Sequence, residues 1–244
     1  MKLLCPIQPT YLNSGHTLIL NQLFGENLLT YSNGHTGIDI KTTGGVKYER
    51  TTDGLGNWEW NGSDWGPHAR LRRIEATPQE ENGRIPIVAC HDGEVSVSLS
   101  DEKQRVGWGV YVTAEPEEDK QYRTLYWHIE TPWNSLGGFQ GVVSAINQLI
   151  QIFTKRKVKA GAIIAIAGNN GYSTGPHLHL ELQVREKTQN GWGSWNRINA
   201  MPYFDDDLVV YQRYRMSTNQ FFHKGKEISE AQYKKLIKSW PKVL

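Results

Sequence analysis

Residue types suited to hydrolytic chemistry gather in three short stretches. The first is His35-Thr36-Gly37-Ile38-Asp39-Ile40. Ile38 and Ile40 alternate with Gly37 and Asp39, which predicts a strand. On a strand residues 35, 37 and 39 share a face, so His35 and Asp39 point the same way, and Gly37 between them adds no side chain to obstruct an ion. The second is His177-Leu178-His179-Leu180-Glu181-Leu182, in strict alternation. Its leucines need a core, and the opposite face carries two imidazoles and a carboxylate. The third is Tyr126-Trp127-His128, at the end of an apparent strand. Catalytic zinc takes three nitrogen or oxygen ligands and keeps one position open for water. Two histidines and a carboxylate meet that need and leave further histidines to handle protons. Either pattern alone is weak. With eight histidines in 244 residues, roughly 0.3 accidental matches are expected for H-x-x-x-D and again for H-x-H. Together they are more persuasive, because they supply the parts of a catalytic zinc site. His16, His68, His91 and His223 fall in no motif and read as surface or packing residues.

Positioning these groups requires a β framework. Short β-branched runs separated by Gly, Asn and Asp predict strands at Ile85–Ala89, Glu94–Leu99, Gly109–Ala114, Arg123–His128, Ala162–Ala167 and His177–Val184. His91-Asp92-Gly93 reads as a hairpin turn between the first two. The whole is expected to be a mainly antiparallel β domain. Tyr48–Arg84 is a polar excursion rich in tryptophan, with Asn61-Gly62 suggesting a projecting hairpin, either a solvated loop or an aromatic wall beside a groove. Apolar residues in Gly141–Thr154 recur at helical spacing, predicting an amphipathic helix packed on the sheet or closing over the site. Ser229 and Gln232 form a capping box for a C-terminal helix ended by Pro241.

Composition narrows the function classes. The net charge of +2 is too small an excess for a nucleic-acid binder. The longest mainly apolar stretch, Ala160–Ala167, is far too short to span a bilayer. Two cysteines, Cys5 and Cys90, make no disulfide scaffold and no cysteine-based zinc site; they read as two free thiols, or one disulfide. At the N-terminus, Pro6, Gln8 and Pro9 interrupt the apolar run too early for a secretory signal.

The run Gly168-Asn169-Asn170-Gly171-Tyr172-Ser173-Thr174-Gly175-Pro176-His177-Leu178-His179-Leu180-Glu181 closely resembles the signature of the lysostaphin-type zinc endopeptidases that cut bacterial peptidoglycan. So do His35–Ile40, Tyr126-Trp127-His128, Val158-Lys159-Ala160-Gly161, and Ile85–Ala89 with Asp92-Gly93, in the family's order, over about residues 34 to 184. The resemblance implies a compact antiparallel β-sheet or barrel-sandwich (the duplicated hybrid motif) with a groove over the metal. It implies that His35, Asp39 and His179 ligate one Zn2+, and that His128 and His177 are the two catalytic histidines outside the ligand set, their order left open. Glu181 is read as an exposed carboxylate in preference to a partner that fixes an imidazole. Asn169–Gly175 reads as a turn, or as a groove lining that offers backbone hydrogen bonds.

The expected organisation is a peptidase domain over residues 1–204, with insertions at about 45–84 and 132–157, and a C-terminal extension over 205–244. The expected function is hydrolysis of peptide cross-links in peptidoglycan, with a stem peptide or cross-bridge as partner, by a monomer without nucleic acid or membrane span. The alternative is a non-catalytic wall-binding or hydrolase-activating module on the same fold. Action at the wall, outside the cytoplasm, without a visible signal, fits a phage lysin, a virion-associated enzyme or a trimmed bacterial one. The long insertions bear on which bond is cut, a glycine bridge or a D-alanyl cross-link.

Overall fold

Hydrophobic alternation in short segments is realised as one large sheet flanked by smaller ladders. The computed structural model describes residues 1–7, 16–26, 34–42, 48–50, 58–60, 65–67, 71–73, 85–99, 108–129, 156–168, 173, 176–214 and 219–240. In chain order the strands are β1 (Thr17–Gln22), β2 (Ile38–Lys41), β3 (Tyr48–Arg50), β4 (Trp58–Trp60), β5 (Trp65–Pro67), β6 (Leu71–Arg73), β7 (Pro86–Val88), β8 (Gly93–Leu99), β9 (Trp108–Thr113), β10 (Lys120–Trp127), β11 (Arg156–Val158), β12 (Ile163–Ile166), β13 (His177–Thr188), β14 (Gly191–Trp192), β15 (Asn196–Ile198), β16 (Val210–Tyr214), β17 (Asn219–His223) and β18 (Lys226–Ile228). Helix α1 (Glu230–Ser239) follows.

The large sheet runs β11-β8-β9-β10-β13-β2-β1-β16-β17-β18, with β14 and β15 also paired to β13. Its pairs are antiparallel except β1–β16, which is parallel from Thr17↔Val210 to Leu20↔Arg213. The mainly β architecture is the one expected. The register at its centre is set by burial: Leu178 faces Ile40, Leu180 faces Ile38, and Leu18, Leu20 and Leu182 join them in the core, all essentially without solvent contact. Each such side chain contributes about 1.5–3 kcal/mol on leaving water. A slip of one residue would turn this whole set outward.

One expectation about local structure changes. The stretch 91–93 does not close a hairpin: β7 pairs with β12, whereas β8 pairs with β9 and β11. The chain turns a corner there from one ladder to another, and Ile87 and Ile164 carry the β7–β12 ladder into the common core. Within the polar excursion β3 pairs with β6, and between them in sequence β4 pairs with β5 through Trp60↔Trp65; the Asn61-Gly62 turn lies outside the described residues.

Beyond residue 204, β16 to β18 continue the sheet, and α1 lies on β17 with Tyr233 stacked on Phe221 at 4.1 Å between ring centroids. The capping box at Ser229 and Gln232 forms as expected. Cys5 and Cys90 are free and buried; burial pushes the Cys5 thiol up to about 12, so it packs as an inert small apolar group. No helix among the described residues is long and apolar enough to cross a membrane. The expected helix at 141–154, His68, and loop residues 169–172 and 174–175 lie outside the described residues.

Candidate metal centre

β13 is buried on both faces over its first seven residues. One face is the leucine core. The other must satisfy imidazoles and a carboxylate, since buried polar groups without partners are costly. Its neighbours provide the partners. β2 sets Asp39 opposite His179, and β10 sets Trp127 opposite His179 on the other side.

His35 reaches the same place from a turn rather than from a strand, because β2 begins only at Ile38. Its backbone is tied on both sides: His35 N–H donates to the Glu26 carbonyl at 2.7 Å, and Gly25 N–H donates to the His35 carbonyl at 2.8 Å. Gly34 makes that approach with φ +71°, and a Cβ on it would lie 2.7 Å from the Gly25 carbonyl oxygen. His35 Nδ1 lies 3.1 Å from the Leu23 carbonyl, which turns Nε2 inward.

The inward atoms converge. His179 Nδ1 is 2.8 Å from Asp39 Oδ1, His35 Nε2 is 3.0 Å from His179 Nδ1, and His35 Nε2 is 3.2 Å from Asp39 Oδ1. His35, Asp39 and His179 form a group able to hold a metal ion, all three buried. Zinc bonds of about 2.0–2.1 Å in a tetrahedral site put ligand atoms roughly 3.3 Å apart, so the donors need open by only a few tenths of an ångström. Two nitrogens and one oxygen are also the right donor chemistry. The residues present fit the ion.

Two more imidazoles adjoin the group. His177 Nε2 lies 3.6 Å from Asp39 Oδ1, and its Nδ1 lies 3.1 Å from Ser173 Oγ. His128 sits at the end of β10 with φ 60°, a left-handed backbone that histidine tolerates better than most residues. The turn sets its ring 4.7 Å from that of His177 and 6.0 Å from that of His179.

The electrostatics favour a cation. Burial works against an ionised Asp39, but hydrogen bonds from His179 and His35 outweigh it and hold the carboxyl well below its usual range. Burial likewise disfavours a charged His179, yet Asp39 and Glu181 raise it to about 9. A buried carboxylate among imidazoles thus holds positive charge, and a metal competes with a proton for it.

The environment of Glu181 corrects the expectation of an exposed carboxylate. It is 3% exposed. Its Oε1 lies 3.4 Å from His179 Nε2, and its Oε2 accepts from Gln183 Nε2 at 2.6 Å and Arg197 Nε at 2.9 Å. Burial opposes its charge, but His179 and Arg197 hold it at about 2. Gly37 is corrected too. A Cβ there would meet the Leu180 carbonyl oxygen at 2.4 Å and His179 Nε2 at 2.9 Å, so glycine is required by the neighbouring backbone and not by the ion side of the ring. His91 is buried and bonded to Thr124 Oγ1 at 3.0 Å, and His16 and His223 flank Trp240, in keeping with packing roles. Ser173, Gln183 and Arg197 also belong to the site, through His177 and Glu181. Gln183 could have been found by continuing the alternation from Glu181, whereas nothing in the sequence flags Arg197.

Residues 137–191 match the model of peptidase family M23. The matched segment is less than half of the chain and includes His177 and His179. It is 30% identical over 121 residues, half of its own length, to a Haemophilus influenzae protein described as an uncharacterized metalloprotease, and it spans about a fifth of that relative. Among solved structures, it is similar to the catalytic domain of the prophage-encoded M23 protein EnpA of Enterococcus faecalis, in a point-variant form (20% identity, TM-score 0.37, covering 75% of this chain and 88% of that one). It is similar also to the catalytic domain of the antimicrobial peptidase lysostaphin of Staphylococcus simulans (17% identity, TM-score 0.38, covering 75% and 90%). A zinc-containing peptidase of Vibrio cholerae is similar at 23% identity and TM-score 0.30, over 63% of this chain and 36% of that one.

Proposed function

We propose that this protein is a zinc-dependent endopeptidase that hydrolyses peptide cross-links of bacterial peptidoglycan, acting at the cell wall. The observation that carries this reading is the convergence of His35 Nε2, Asp39 Oδ1 and His179 Nδ1 in one buried group, with His177 and His128 beside it. The match of residues 137–191 to peptidase family M23 supports the class of reaction, and the resemblance of the His35–Ile40 and Gly168–Glu181 runs to the wall-cutting endopeptidases supports the substrate.

When bound, the ion supplies Lewis acidity, polarising the scissile carbonyl and acidifying water. The chain supplies the rest. Asp39 neutralises the cationic site while the β2–β13 register keeps it opposite His179. His177, steadied at Nδ1 by Ser173, and His128, held by its left-handed turn, flank the reacting centre. One accepts the proton of the attacking water; the other stabilises negative charge on the carbonyl oxygen or protonates the leaving amine. Residues 1–204 are read as the peptidase unit and 205–244 as an extension that lengthens its sheet.

The test is digestion of purified walls of known cross-link type with mass analysis of the fragments. Release of new amino termini, lost in Ala variants of His35, Asp39 or His179 together with zinc, supports the reading. Intact walls from a zinc-loaded protein would leave a binding module instead.

A further inference from the structure

We propose that Glu181, clamped by Arg197 and Gln183, is the positioning residue that fixes His179 with Nδ1 turned toward the ion; this rests on the metal-site reading above. A neutral imidazole carries its proton on one nitrogen and offers a lone pair at the other. His179 Nδ1 faces Asp39 and His35, so to ligate through it the ring must keep its proton on Nε2. That nitrogen faces Glu181 Oε1 and Thr36 Oγ1, both at 3.4 Å.

The carboxylate is oriented by its other contacts. Oε2 takes both strong donors, Gln183 Nε2 and Arg197 Nε, which leaves Oε1 directed at the ring. The Gln183 amide is itself oriented, because its Oε1 accepts from Arg123 Nε at 2.9 Å, leaving its NH2 for Glu181. Strand geometry supplies the alignment. His179, Glu181 and Gln183 share a face of β13, and β15 registers Arg197 opposite Gln183. A buried carboxylate kept only to pair with a half-exposed arginine would have no need to meet the outer nitrogen of a ligand ring. Carboxylates in this position fix ligand tautomer and orientation, and their loss typically weakens metal binding about 10- to 100-fold.

The experiment uses the full chain. Proton–nitrogen correlation spectra of the zinc-loaded wild type locate the ring proton of His179; a proton on Nε2 with zinc on Nδ1 is expected, and the reverse would overturn the proposal. Zinc affinity is then read by competition with a chromophoric chelator for wild type, Glu181→Gln and Asp39→Ala, with melting of each metal-free protein as a check on folding. Glu181→Gln is expected to fold and to bind zinc about 10- to 100-fold more weakly. Binding within twofold of wild type would refute the role. If Asp39→Ala binds zinc as wild type does, the metal-site reading itself fails; if only Asp39→Ala loses zinc, the positioning role alone falls. Should Glu181→Gln not fold, the wild-type spectra decide.

Discussion

Replacing Gly37 by alanine adds one methyl group at the tightest point beside the site. Its Cβ would lie 2.4 Å from the Leu180 carbonyl oxygen and 2.9 Å from His179 Nε2, where contacts below 3.0 Å are essentially never seen. The turn before β2 and strand β13 must therefore separate by at least 0.6 Å, and backbone on one side and a buried ring on the other offer no easy way to yield. Overpacking of this kind costs about 1–3 kcal/mol. For a chain of this length that lowers the melting temperature by roughly 2–12 °C. The displacement falls between His35 and His179, so it spreads the ligand atoms as well. A misplacement of about 1 Å can cost 10²-fold in rate, so a loss of roughly ten- to hundredfold in turnover is expected, with weaker zinc binding. Thermal melting of the metal-free protein, chelator competition for zinc and wall digestion measure the three effects. A Gly37→Ala protein with wild-type melting, affinity and turnover would refute the steric reasoning.

Three further outcomes are expected. His177→Ala should retain stoichiometric zinc, measured by elemental analysis, while wall digestion falls about 10²- to 10⁴-fold, as for loss of a general acid or base. Chelation should lower the melting temperature and excess zinc should restore it, because an ion at about 100 times its dissociation constant stabilises the fold by roughly 2.7 kcal/mol. Burial, with Asp205 and Asp207 nearby, raises Asp206 from 3.8 to about 6. The fold therefore favours its neutral form, a contribution present below pH 3.8 and lost as pH rises through about 6. Asp206→Asn, which can still accept from Cys5 N–H, should melt higher than wild type at pH 7, and the difference should vanish near pH 4.

Strict alternation in His177–Leu182 made the centre of the molecule legible, because only one register buries three leucines and gathers the polar residues on the opposite face. The strands of β8, β9, β10 and β12 were legible for the same reason. The partner of each strand was not. The turn residues at 91–93 are compatible with a hairpin or with a corner, and the choice is made by β12 and β11, far along the chain. The parallel pairing of Thr17–Leu20 with Val210–Arg213 leaves no local trace in either segment. At the site, strand alternation does not account for His35: a turn tied to Gly25 and Glu26 brings it beside Asp39 and His179. The burial of Glu181 is not legible in the sequence, because a carboxylate is normally exposed and its partners, Arg197 on β15 and Gln183, come together around it only when the sheet forms.

The central claim is that three side chains remote in sequence hold one ion. Anomalous diffraction at the zinc edge from crystals of the zinc-loaded protein tests it most directly. The account predicts a single strong peak about 2.0–2.2 Å from His35 Nε2, Asp39 Oδ1 and His179 Nδ1. A peak bonded to other side chains, or none at these three, would contradict it.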